Sequence, residues 1–185
     1  MRGLEKRDEL IGKAMRLFNR HGYHACGVDR IMEETGIAKT TLYRHFATKE
    51  DLIVAALAKI DEEIRGEMRA FVEQASDDPV QRVLATFDLL DAWLHDGEFK
   101  GCRFIAAAAE FGDGKDPVFQ QVKLHKRLYL AFFEELVRAA RLPDPTALAS
   151  QLVMLHEGAV AYAQVLGAEG AAAAAKRAAA KLIAV

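Results

Sequence analysis

An all-α fold is what the 185-residue sequence predicts, and three observations carry that expectation. Apolar residues recur at three- and four-residue steps along most of the chain, no stretch alternates at period two, and three Asp-Pro pairs (78–79, 116–117 and 144–145) punctuate the later part. In each pair Asp can cap a helix while Pro takes its first position, where the missing N–H does no harm. The chain divides on this pattern into residues 1–48, built of short helices, and residues 49–185, built of longer ones.

From about Glu5 to His21, Leu10, Ile11, Ala14, Leu17 and Phe18 fall on one face, and Gly22 is a natural stop. Val28, Ile31 and Met32 then form the apolar face of a short helix that ends at Gly36. A second short helix opens near Lys39, with Leu42 and Phe46 facing inward. Thr48 and Asp51 have the spacing of a capping box, and Leu52, Ala56, Ile60, Ile64, Met68 and Val72 keep a step of four to about Gln74. That single helix would be about 40 Å long. Beyond it the pattern predicts helices from Pro79 to near Gly97, Cys102 to Phe111, Pro117 to about Arg141, Pro145 to Leu166 and Ala171 to Ile183.

Chemistry concentrates in residues 27–51. Two short helices joined by a turn containing Gly make a helix-turn-helix, whose second member is narrow enough for the major groove of DNA. The side of that member turned away from Leu42 and Phe46 carries Lys39, Thr40, Thr41 and Arg44, residue types that bond base edges, with Tyr43 and His45 suited to phosphates. Arg2, Lys6 and Arg7 could also reach phosphates, although a frayed, solvated tail is the plainer reading. Residues 1–50 hold ten Lys/Arg against seven Asp/Glu, whereas the remainder holds 15 against 20. The basic surplus therefore sits with the helix-turn-helix, and its small size suggests that two copies act together.

The last two helices are rich in small residues: Gly158, Ala159, Ala161 and Ala163, then Ala171 to Ala175 and Ala178 to Ala180. Such side chains permit close approach in a two-fold, four-helix interface, although alanine is also simply a good helix former.

The segment G-I-A-K-T-T-L-Y-R-H-F-A-T-K-E-D-L, with A-M-R-L-F-N-R-H-G-Y upstream, resembles the signature of the tetracycline-repressor (TetR/AcrR) family of bacterial transcription regulators. The likeness covers about the first fifty-five residues. It implies an all-helical homodimer whose N-terminal domain binds a double-stranded operator and whose C-terminal domain binds a small effector and lets the DNA go. It also implies that Lys49 contacts a phosphate and that the last two helices pair the subunits. Where the family usually has Thr or Ser caps, this chain has Gly27 and Ala38, so side-chain phosphate contacts from those positions are not expected.

With the family as guide, Trp93, Phe104, His125, Tyr129, Phe132 and His156, together with Phe87, Met154 and Tyr162, are expected on inward faces around a largely apolar effector. Taken singly, each reads better as core. Glu110 and Glu157 would suit a cationic effector, but a helix-boundary or interface carboxylate is the more ordinary account. No cofactor, metal or catalytic group is expected. His21, His24 and Cys26 form H-x-x-H-x-C across a glycine break that gives no fixed geometry. Gly112 to Asp116 is too short for a phosphate loop, and no nucleophile has a base and orienting partner at useful spacing. Cys26 and Cys102 read as free thiols in a reducing cytosol. Without a signal core or an 18-residue apolar run, the expected location is the cytoplasm, with no membrane contact. The rival reading is a helical interaction module whose contact with DNA is incidental.

Overall fold

A computed structural model describes residues 2–112 and 114–184, with side chains from residue 6 onward, so the side chain of Arg2 and, in the Gly112–Asp116 segment, Asp113 lie outside the described residues. Among the described residues there are nine α-helices and no strand: α1 (Arg2–His21), α2 (Val28–Thr35), α3 (Lys39–His45), α4 (Lys49–Ala75), α5 (Pro79–Leu94), α6 (Arg103–Glu110), α7 (Pro117–Ala139), α8 (Pro145–Leu166) and α9 (Ala171–Ile183). The elements expected from periodicity are all present, with no end shifted by more than three residues.

Helix starts follow the capping chemistry. Asp78 accepts from the Val80 amide at 2.9 Å, Asp116 from Val118 at 2.7 Å, and Asp144 from Ala147 at 3.3 Å. Thr48 and Asp51 close a reciprocal capping box, each side chain accepting the other's backbone N–H at 3.0 Å. Gly27 and Ala38, by contrast, precede α2 and α3 with no side-chain cap.

The chain forms two compact units, and both α4 and α7 run through the division. The first holds residues up to Glu62 together with Arg103–His125; the second holds Glu63–Cys102 and Lys126–Val185. The first unit includes the opening turns of α4, where Leu52, Ile53, Ala56 and Leu57 are completely buried. The first unit also encloses a polar pair: the His125 ring lies 2.7 Å from Asp61 and stacks on Phe104 at a centroid distance of 3.5 Å. Asp61 sits four residues after Leu57 and three before Ile64, on the apolar stripe of α4, so an inward carboxylate was readable from spacing.

In the second unit α9 packs its small residues, Ala172 and Ala179 fully buried among them, against α5 and α8. Within that core the buried His156 ring lies between Phe87 and Phe133, with centroids at 4.3 and 5.0 Å. The network around it assigns the tautomer. Thr86 donates its hydroxyl hydrogen to Val83 O at 2.7 Å, so Thr86 accepts from His156 Nε2 at 3.2 Å. Nδ1 is then the acceptor for the Tyr129 hydroxyl at 3.0 Å. The imidazole is neutral. Burial pushes its pKa down to about 3 and pushes that of Tyr129 up, the latter aided by Glu157 and Cys102.

Two outcomes are expected. Thr48→Ala removes one side of the capping box and should cost about 0.5–2 kcal/mol in denaturant unfolding, with the m-value unchanged. Because the unfolded chain takes up a proton on His156 near the ordinary value of 6.5 while the folded chain resists to about 3, stability is held above pH 6.5 and is lost as pH falls through that window. His156→Gln, which keeps a donor and an acceptor, should flatten the wild-type slope by at most about 1.4 kcal/mol per pH unit. Parallel pH–stability curves for the two proteins would contradict the assignment.

Candidate nucleic-acid interface

Helix α2 ends because Gly36 takes a left-handed backbone conformation, φ 69°, and returns its N–H to Met32 O at 2.9 Å. Thr35, just before it, is buried. Its hydroxyl donates to Ile31 O at 2.5 Å and accepts from the Ile37 amide at 3.3 Å, while its carbonyl accepts from Lys13 Nζ at 3.0 Å. The turn is therefore tied both to α2 and to α1. A Thr directly before a C-terminal Gly is placed to make such a bond.

Helix α3 is only seven residues long and is held from below by Leu42 and the following Phe46, both buried. Arg7 from α1 lies over the Phe46 ring at 5.1 Å. With that side occupied, Lys39, Thr40, Tyr43 and Arg44 are exposed and Thr41 is half-buried. Lys39 lies 3.7 Å from Asp29, a pair so exposed that solvent screens most of its attraction. Two residues are placed differently. His45 is half-buried, and its Nε2 is enclosed with no hydrogen-bond partner. Lys49, also half-buried, donates from Nζ to Tyr23 O at 3.2 Å. The outward side offers a guanidinium, an ammonium, two hydroxyls and a phenol on one short helix, the donor set that base edges and phosphates accept.

The residues expected around an effector are divided between the two units. Phe104 and His125 belong to the first unit; Trp93, Tyr129, Phe132 and His156 belong to the second. Tyr129 and His156 share the hydrogen bond described above. Trp93 meets Phe99 edge-on at 5.0 Å, and Phe132 lies 5.4 Å beneath the Arg69 guanidinium. Arg69 itself forms two 2.8 Å bonds with Glu135. The groove that Phe132 lines holds about 90 Å³, well below the several hundred that enclose a typical small-molecule ligand. Phe87 is buried as expected, but Met154 and Tyr162 are 69% and 53% exposed and do not look inward. Helix α8 is apolar or small on nearly every side, so spacing alone could not tell which face is covered.

The two carboxylates singled out have partners within the protein: Glu157 with Lys126 at 2.5 Å, and Glu110 with the backbone amides of Tyr23 and His24. Cys26 is buried and bonds to Leu17 O, His24 approaches Glu110, and His21 lies 3.9 Å from Glu34, so the H-x-x-H-x-C residues point to different neighbours. No helix among the described residues is long and apolar enough to cross a membrane.

Comparison with known proteins agrees with this geometry. Residues 10–56 match the model of bacterial regulatory proteins of the tetR family, and residues 79–179 match the tetracyclin repressor-like C-terminal domain. The HTH-type transcriptional regulator YjdC of Escherichia coli is 24% identical over 153 residues, covering 83% of this chain and 80% of that protein. The HTH-type transcriptional activator FasR of Mycolicibacterium smegmatis is 34% identical over 103 residues, 55% of this chain and 45% of its own. A crystal structure of a TetR-family transcriptional regulator from Streptomyces coelicolor superposes with a TM-score of 0.89 at 32% identity, covering 96% of this chain and 94% of that one. With a family helix-turn-helix at one end, a family C-terminal domain over more than half the chain and a whole-length fold match, the protein belongs to the tetR family of DNA-binding transcriptional regulators.

Proposed function

We propose that the chain acts as a homodimeric repressor on a roughly palindromic operator and lets the DNA go when a small, largely apolar effector binds among the C-terminal helices. The observation that carries the DNA half of this reading is the exposure of Lys39, Thr40, Tyr43 and Arg44 on one helix whose other side is buried. Lys39, Thr40, Thr41 and Arg44 stand nearest the bases; Tyr43 and Lys49 set the register on phosphates, with His45 beside them.

Dimerisation is supported by α8. Met154, Gly158, Ala161, Tyr162, Val165 and Leu166 are all exposed and recur at three- and four-residue steps, so they form one apolar stripe along the helix. Leu182 of α9 is exposed too. Leaving such a stripe in water is unfavourable, and a second copy offers an identical surface for a two-fold contact. Two linked reading helices also supply the selectivity that one seven-residue helix lacks.

Effector release would be a shift in population. A ligand bound more tightly by a form whose reading helices no longer match the groove spacing would draw the protein into that form.

Arg44→Ala should weaken binding to a selected operator by about 1–3 kcal/mol and relax base preference at one position, read by competition against duplex variants. Lys49→Ala should lower the slope of log affinity against log salt by about one. Unchanged affinity and slope in both variants would remove these assignments. Val165→Glu should convert the dimer to monomer in sedimentation and abolish tight operator binding; a dimer that survives the substitution would place the interface elsewhere.

A further inference from the structure

The segment that carries the helix-turn-helix has its two flanks tied together at one peptide. On the N-terminal side, Tyr23 and His24 lead through Gly27 into α2; on the C-terminal side, Lys49 opens α4 just after Phe46. Lys49 Nζ donates to Tyr23 O at 3.2 Å, which closes the loop around α2 and α3. Helix α6 holds this junction from outside. The Glu110 carboxylate accepts from the Tyr23 amide at 2.9 Å and from the His24 amide at 2.5 Å, one oxygen to each. His24 Nε2 reaches Glu110 O at 2.9 Å, and the Tyr23 hydroxyl donates to Arg103 O at 3.1 Å, so the first and last residues of α6 grip the same dipeptide.

Local backbone shape makes the grip possible. Gly22 has φ 85°, which turns the chain so that two successive N–H groups converge on one anion, the arrangement of a backbone nest. A Cβ there would stand 3.1 Å from Glu110 Oε1, so the carboxylate fills the space that glycine leaves. Charge-assisted bonds from two amides to one carboxylate are among the stronger hydrogen bonds a protein makes. The Tyr23 ring is anchored as well, stacked on Phe18 at 5.3 Å and edge-on to Phe111 at 6.2 Å.

We propose that Glu110 is a positioning residue for DNA recognition: by clamping the Tyr23–His24 amides, it sets the orientation in which α2 and α3 are presented. This rests on the DNA-binding reading above. Glu110 touches no base or phosphate in this scheme; it acts through the Tyr23 peptide and Lys49. Reading base edges needs α3 in one pose, whereas non-specific binding rests on charge and tolerates many. Loosening the clamp therefore lowers the preference for the correct duplex more than the attraction for any duplex.

The test uses the full-length chain and a duplex selected by the wild-type protein from a random pool. Affinities for that duplex and for a scrambled one are measured for wild type, Glu110→Gln and Tyr23→Phe, with hydrogen exchange followed at the Tyr23 and His24 amides. Glu110→Gln should bind the selected duplex on the order of tenfold more weakly, lose little on the scrambled one, and exchange both amides faster. Tyr23→Phe keeps the ring packing and should shift the ratio the same way by less, which serves if Glu110→Gln does not fold. A purely structural role lowers the active fraction and hence both affinities equally; that result, or unchanged binding in either folded variant, overturns the proposal. If the wild-type protein selects no duplex, the DNA-binding reading falls and this inference with it.

Discussion

Burial of Leu42 and Phe46 beneath α3 is the constraint on which the recognition surface depends. A seven-residue helix cannot sustain itself in water, because nucleation costs more than so few internal hydrogen bonds return. Helix α3 also lacks a side-chain cap, since Ala38 precedes it. Its geometry is therefore imposed from outside: by the two apolar anchors, by the left-handed Gly36 that aims the chain into it, and by Phe46, whose N–H returns to Leu42 O at 2.9 Å as the helix stops. The exposed residues share one side, the side proposed to face DNA, because the covered ones permit a single rotation of the helix about its axis.

The neighbouring elements make that arrangement rigid with polar bonds rather than with more apolar bulk. Thr35 consumes its hydroxyl and carbonyl inside the turn and brings in Lys13 from α1. Lys49 and Glu110 both bind the Tyr23–His24 peptide, one at its carbonyl and one at its amide. Unpaired, each of these groups would be costly to hold away from water; paired, each selects one backbone conformation over its alternatives. Small apolar contacts supply the cohesion of the N-terminal helices, and these directed bonds supply their angles.

What the sequence made legible divides along the same line. Spacing placed the Leu42 and Phe46 face, the Thr48 capping box and the three Asp-Pro starts, because each depends on residues within one or two helical turns of each other. It could not place Glu110, whose partners lie 86 and 87 residues away, nor distinguish the half-buried His45 from its exposed neighbour Arg44. Trp93, Phe104, His125, Tyr129, Phe132 and His156 share an aromatic or imidazole character that suits a pocket wall. Only three-dimensional placement shows Phe104 and His125 assigned to a different compact unit from the other four. Asp61 lies between these cases: its position on the α4 stripe was visible, but its partner His125, 64 residues on, was not.

Helix α8 shows why such ambiguity arises where it does. Its inward side buries Leu148, Leu152, His156, Ala159 and Ala163, and its outward side exposes Met154, Tyr162, Val165 and Leu166. Both sides are apolar, so the usual contrast between a greasy face and a wet one vanishes. In a monomer that would be a helix with one side wrongly composed. Under the dimeric reading proposed above, the same composition is required, since one face completes the subunit's own core and the other is left for a second copy. On that reading the loss of amphipathic contrast in α8 is the sequence trace of assembly. The polar trio of Thr86, His156 and Tyr129 sits on the inward side, where hydrogen bonds at 3.0 and 3.2 Å fix the rotation of α8 against its own subunit and thereby decide which stripe is presented.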